Sequence, residues 1–477
     1  MKYDVVIIGA GILGSTIADN LAKYKLNTLV LEKGCDSGLE QSMSSSAIVH
    51  SGIDPKSGSQ KAKYNVLGNR MMKGLCNDLN VDYLECGGYV CASDEQELEH
   101  LKKLLKNGQE RDIECEIISG DTLRSREPHV SLNIKYALAM PTTAVIYPTE
   151  LTVACLERAM NNDVKVEYNT EVKAITHDGA SYSIETDRET INCECVINCA
   201  GMNSDLIAKM VDKEFAITLK PKRGEYFVTN NIKPVVSSVI YPVPNENGKG
   251  VLAVPTTHGN VLLGPNGVYQ EDRNDDSTSA SGLGFVQANT QRIIAKFPTD
   301  IIKTYAGLRS SGNNGDFYLA PCNQTQKMFN LVAIDSPGIA SAPALAKEAS
   351  DWVVNLLNPE LSSDYQNERP RYVKMAEYDL ATQNQMIKQN QLYGKIICRC
   401  EQVSKGEIRD AIRKQNGAKN LTGIKFRIRP MLGMCQGGFC ETEVVRILAD
   451  ELGVDITDIS RSGKQTIVLK GSKDESV

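Results

Sequence analysis

The stretch YDVVIIGAGILGSTIADNLAKY, residues 3–24, with NTLVLEK at 27–33, decides the fold. The unbroken apolar run VVII suits a strand buried on both faces of a parallel sheet. Gly9, Gly11 and Gly14 then form G-x-G-x-x-G, and Ile12, Ile17 and Leu21 recur at helical spacing. Without side chains at the glycines, the backbone can turn sharply, approach a pyrophosphate and pack helix against strand. The helix N-terminus then faces the phosphate charge. A second strand ends on Glu32, where a carboxylate can accept hydrogen bonds from the ribose hydroxyls of an adenosine. A glycine triplet alone is weak evidence. Strand, turn, helix, strand and acid in this order predict a dinucleotide site.

The chain has 477 residues, enough for two or three domains, and a formal charge of −6 with no long Lys or Arg run. That balance argues against nucleic acid as a partner. The apolar start is short, follows Asp4 and lacks a small-residue cleavage site, so it reads as a strand and not as an export signal. No window reaches the length of an apolar bilayer span. The expectation is a cytoplasmic protein without a transmembrane segment, its 14 cysteines reduced. Ten of those, Cys76, Cys155 and Cys322 among them, show no metal-like spacing. Cys193, Cys195 and Cys199 cluster in NCECVINCAG but lie along a predicted strand and read as structural.

Two further strand-to-helix turns bear on the cofactor. VINCAGMNSDLIAK (196–209) passes through Gly201, and LVAIDSPGIASAPALAKEASDWVV (331–354) has Gly338 at a helix start. Backbone N–H groups from Gly338 to Ala340 could face a flavin's pyrimidine edge and favour the negative charge that reduction builds there. Together with the N-terminal motif, these segments resemble the glutathione-reductase-type FAD fold, in its D-amino-acid-oxidase-like branch. The resemblance assigns Gly9, Gly11, Gly14, Glu32, Val172, Gly201, Gly338 and Ile339 to FAD. It implies an α/β FAD-binding domain of Rossmann type, with segments near 1–80, 145–215 and 320–365. A β-rich substrate domain is interleaved at about 80–145 and 215–320. In the second stretch, ITLKPKRGEYFVT, VLAVPTT and NVLLGP alternate with Pro, Gly and Asn turns, and such a sheet roofs the substrate pocket in that branch.

SSAIVHSGIDPKSGSQKAKYNVLGNR (45–70) resembles the flavin-contacting segment of two groups. One is the 2-hydroxyglutarate dehydrogenases; the other is the bacterial FAD-dependent glycerol-3-phosphate dehydrogenases with a C-terminal iron–sulfur module. IYPTELTVAC, PKRGEYF, PTTHGNVLLGPN and AGLRSSG extend the likeness in the same order.

Oxidising a secondary alcohol requires a base for the hydroxyl proton. Of five histidines, His100, His129 and His177 read as surface residues. His50 in the flavin-contacting stretch is the expected flavin-side polar or catalytic residue, and His258 in the roof the expected pocket residue; the two roles are interchangeable. Arg309 in YAGLRSSG is the expected anion clamp, because a guanidinium can hold carboxylate or phosphate by two parallel bonds. Similar dehydrogenases carry proline in this segment; here Ser310 and Ser311 follow, which leaves the substrate open. Lys222 and Arg223 offer further positive charge.

After a polar connector at 366–395, the segment 396–457 carries Cys398 and Cys400 in CRCE, then Cys435 and Cys440 in GMCQGGFC, with one amphipathic helix after each pair. A tail, 458–477, follows. Four thiolates suit an Fe–S cluster or zinc, and the tight C-x-C spacing disfavours zinc. The segment resembles the bacterioferritin-associated-ferredoxin-like [2Fe-2S] module. That likeness implies a relay from reduced flavin to a second flavoprotein or a ferredoxin-like subunit. The sequence therefore predicts an FAD-dependent dehydrogenase of a small anionic secondary alcohol, sn-glycerol 3-phosphate in the first instance. The alternatives are a 2-hydroxyglutarate dehydrogenase, an amine or opine dehydrogenase subunit, and an electron-transfer subunit without a substrate of its own.

Overall fold

A computed structural model describes residues 2–244, 250–463, 466, 468 and 469. Of the expected tail, the residues outside these ranges are not described. The strand Lys2–Ile8 lies at the centre of an α/β layer because both of its faces are apolar. Val5 and Ile7 pack into one core with Ile17 and Leu21, and Val6 and Ile8 into another with Tyr182 and Ile184. Thr28–Leu31 and Thr190–Asn198 run parallel on either side, flanked in turn by Lys165–Glu167 and Met328–Val332, also parallel. Cys193 and Cys195 are buried in these cores, as expected of structural residues. The helices Ile12–Leu21, Pro148–Asn161 and Gly338–Leu357 cover one face, contributing Leu156, Ala159, Leu345 and Ala349 to its core.

The two β-rich stretches form one sheet. Leu219–Thr229 and Ile301–Gly312 pair antiparallel along their whole length. The sheet continues through Val261–Gly264, Leu252–Pro255 and Val239–Pro242. There a parallel pairing with Gly88–Ala92 joins it to Tyr136–Met140 and Glu116–Ser119. A smaller sheet sets Ala144–Ile146 between Ile48–Val49 and Tyr83–Leu84, tying the segment before His50 to the base of this roof.

The C-terminal module is a short hairpin, Ile396–Cys398 with Val403–Ser404, followed by three helices. Lys405–Arg413 starts with a capping box between Ser404 and Glu407. Leu421–Ile428 is one helix more than the pattern predicted: it is short, and its Arg427 points inward, which breaks the apolar stripe. Ile408, Ile412, Ile424, Val444 and Leu448 form the module's core, which Val153 and Tyr372 from outside complete.

The connector is not a solvated linker throughout. Arg369 is buried and pairs with Glu157 at 2.6 Å, and the Tyr372 hydroxyl donates to the same carboxylate. Next to them Arg158 grips Asp19 at 2.6 and 2.7 Å. Breaking one such buried pair costs about 3–5 kcal/mol, because the remaining charge is left without a partner. Among the described residues no helix is long and apolar enough to cross a membrane.

Candidate functional site

A cavity of about 1230 Å³ runs between the parallel sheet and the roof. At one end it is lined by Gly9, Gly11, Glu32, Val172 and Gly201. Gly9 has φ +105°, and a Cβ there would overlap the Cys199 carbonyl, just as one on Gly14 would overlap the Gly9 carbonyl. Strand, turn and helix can close up only without those side chains. Glu32 accepts from the Ala10 N–H (2.8 Å) and the Gly34 N–H (2.7 Å), which fixes its carboxylate in the wall. Burial pushes its pKa up. Each oxygen keeps a further lone pair, so the group can still accept ribose hydroxyls. The cradle fits the adenosine and pyrophosphate of FAD.

At the other end, Gly338 and Ile339 line the wall at the start of Gly338–Leu357. The Gly338 N–H is donated to the Asp335 carbonyl at 2.5 Å. His50 and Arg309 line the same cavity. The His50 Nδ1 lies 3.1 Å from the Tyr241 hydroxyl, and the His50 carbonyl accepts from Asn65 and Asn69, which fixes the backbone that presents the ring. Arg309 donates to the Asn266 carbonyl at 2.8 Å and passes close to Gly224, where a Cβ would overlap its guanidinium.

Lys222 is the cross-strand partner of Arg309 and also lines the cavity. Burial, then the Arg309 charge, pulls its pKa below that of an ordinary lysine. Sequence reasoning passed over Lys61, which lines the cavity and pairs with Asp335 at 2.7 Å. The signal was present in SGSQKAK, within the flavin-contacting stretch, but nothing in the chain order brings Lys61 to Asp335. Tyr241, the partner of His50, was missed for the same reason.

His258 does not line this cavity, which corrects its expected place in the substrate pocket. The turn that carries it points the other way, so its ring packs edge-on to Tyr147 at 5.0 Å, and the Arg429 guanidinium lies 5.7 Å from the Tyr147 ring. Burial, with Arg429, Lys374 and Arg371 nearby, drives the His258 pKa down to about 2. His177, expected at the surface, is half-buried against Tyr182.

The four module cysteines come together in two pairs. Cys398 lies beside Cys440, and Cys400 beside Cys435. Among the described residues no group of three or more His, Cys, Asp or Glu is arranged around a single metal ion. Two thiol pairs suit a two-iron cluster, in which each iron takes two cysteines. A Cβ on Gly433 would overlap that of Cys400, so this loop too is shaped around the thiols.

Comparison with known proteins agrees with this geometry. The FAD dependent oxidoreductase family matches residues 4–352, and the BFD-like [2Fe-2S] binding domain family matches 396–450. No finding supports zinc in place of the cluster. A glycerol 3-phosphate dehydrogenase of Caloramator mitchellensis is 36% identical over 476 residues, covering 98% of each chain. An L-2-hydroxyglutarate dehydrogenase of Salmonella houtenae is 30% identical over 56% of this chain and 64% of its own. Among solved structures, dithionite-reduced L-alpha-glycerophosphate oxidase from Mycoplasma pneumoniae with FAD bound superposes with a TM-score of 0.72. It is 25% identical and covers 77% of this chain and 98% of its own.

Proposed function

The chain belongs to the FAD dependent oxidoreductase family, and we propose that it oxidises sn-glycerol 3-phosphate to dihydroxyacetone phosphate and relays the electrons through a [2Fe-2S] cluster to a partner protein. The observation that carries this reading is the pair of cations, Lys222 and Arg309, on one rung of the roof within the cavity that His50 also lines. Two adjacent cations suit a phosphate dianion. The full-length likeness to a glycerol 3-phosphate dehydrogenase supports the same substrate.

FAD, when bound, takes up the hydride that leaves the carbinol carbon. The protein's share is to hold and deprotonate the alcohol. Arg309 and Lys222 anchor the phosphate, which limits how the carbinol carbon can lie against the flavin face. His50 takes the hydroxyl proton: with Nδ1–H donating to the Tyr241 oxygen, Nε2 carries the lone pair a base needs.

Cys398, Cys400, Cys435 and Cys440 would hold the cluster, which passes electrons singly. The FAD-bound oxidase structure covers only 77% of this chain. That shortfall supports assigning the added module to electron exit through a protein acceptor. Anaerobic titration with sn-glycerol 3-phosphate tests the substrate. Bleaching of the flavin band by that compound supports it; bleaching by 2-hydroxyglutarate alone overturns it in favour of a hydroxy acid.

A further inference from the structure

The iron–sulfur module rests on two loops, and both belong to the cofactor cavity. The first follows Glu32: Lys33 and Gly38 line the cavity, and the Gly34 N–H holds the Glu32 carboxylate. In the same loop Asp36 grips the Arg427 guanidinium at 2.7 and 2.9 Å, the two side chains 4% and 1% exposed. Arg427 gives its other donors to the carbonyls of Asn416 (2.8 and 3.0 Å) and Gly423 (3.0 Å). A Cβ on Gly423 would overlap the Asp36 carboxylate, so the module's helix approaches this loop as closely as backbone permits.

The second loop is 168–172, of which Thr170, Glu171 and Val172 line the cavity. The Thr170 and Asn169 N–H groups donate to the carbonyls of Glu32 and Gly34, which binds the two loops together. The Tyr168 hydroxyl donates to Asn416 Oδ1 at 2.9 Å. Asn416 thus reaches one loop through its side chain and the other through Arg427.

We propose that Arg427 and Asn416 are positioning residues for FAD: the docked module holds both loops in the arrangement that accepts the cofactor's adenosine half. Without Arg427 the Asp36 carboxylate would be buried and unpaired, so the loop would keep its conformation only at a cost. Whatever docking adds to FAD affinity, FAD must return to docking by linkage. The inference rests on the Glu32 end of the cavity holding adenosine, and it is independent of which alcohol is oxidised.

The test compares amide hydrogen exchange of the intact wild-type chain with FAD bound and with FAD removed, the cluster retained in both. Exchange in the FAD-free protein is expected to quicken at 416–428 as well as at 33–38 and 168–172. Unchanged exchange at 416–428 would overturn the coupling. Titration of the FAD-free chains with FAD adds a second reading: Tyr168→Phe should weaken binding about fivefold and Arg427→Met tenfold or more, with cluster absorbance unaltered. If Arg427→Met does not fold, Tyr168→Phe decides, and FAD affinity within about twofold of wild type contradicts the proposal.

Discussion

Lys222 and Arg309 stand opposite each other in the antiparallel pair formed by Leu219–Thr229 and Ile301–Gly312, two like charges on one rung of the cavity wall. Each raises the cost of the other's charge, and an anion bound between them would offset it. Arg309→Ala should therefore lower kcat/KM for glycerol 3-phosphate by roughly 2–4 kcal/mol, about 30- to 1000-fold, with FAD content unchanged. Steady-state kinetics alongside the flavin-to-protein ratio checks both halves. Wild-type kinetics in this variant would remove the clamp.

Lys222 supplies a pH signature. Burial and Arg309 lower its pKa, so on alkaline titration it loses its proton before an exposed lysine does. KM for the anionic substrate should rise along that limb, and Lys222→Gln should show a high KM that no longer changes there. The pH profile of KM, measured for both proteins, reads this directly.

His50 is expected to govern the chemical step. His50→Asn should lower kcat about 10²- to 10⁴-fold while substrate binding, followed by perturbation of the flavin spectrum, changes little. Tyr241→Phe, which removes the group 3.1 Å from His50 Nδ1, should lower kcat in the same direction and by less.

His258 predicts an effect on stability instead of catalysis. Its folded pKa of about 2 lies below the unfolded value near 6.5, so below that pH the unfolded chain binds a proton that the folded one does not. Stability should fall with acidification from about pH 6.5, by up to roughly 1.4 kcal/mol per pH unit from this group. Thermal melts of His258→Gln should show a flatter acid limb, at unchanged kcat.

What the sequence revealed follows from how local each feature is. Gly9, Gly14 and Glu32 act within one strand–turn–helix–strand unit, so their spacing carried the reading. The thiol loops are similarly compact, and their four cysteines were visible as a set. Lys61 and Asp335 meet only because two helix starts far apart in the chain converge on the cavity, which no periodicity encodes. His258 lay in a roof segment, but which side of a sheet a turn faces depends on the neighbouring module. Nothing in the sequence singled out Arg427, because its partner Asp36 lies nearly four hundred residues away in an N-terminal loop.

In the proposed reaction, substrate electrons enter at the flavin and leave through the cluster. Rapid anaerobic mixing of the iron-replete protein with sn-glycerol 3-phosphate, followed by visible absorbance and by electron paramagnetic resonance of frozen samples, tests it directly. Flavin bleaching should come first and then the signal of a reduced [2Fe-2S] cluster with no external acceptor, while Cys398→Ser retains the first phase and lacks the second. Flavin reduction with a cluster that stays oxidised throughout would contradict it.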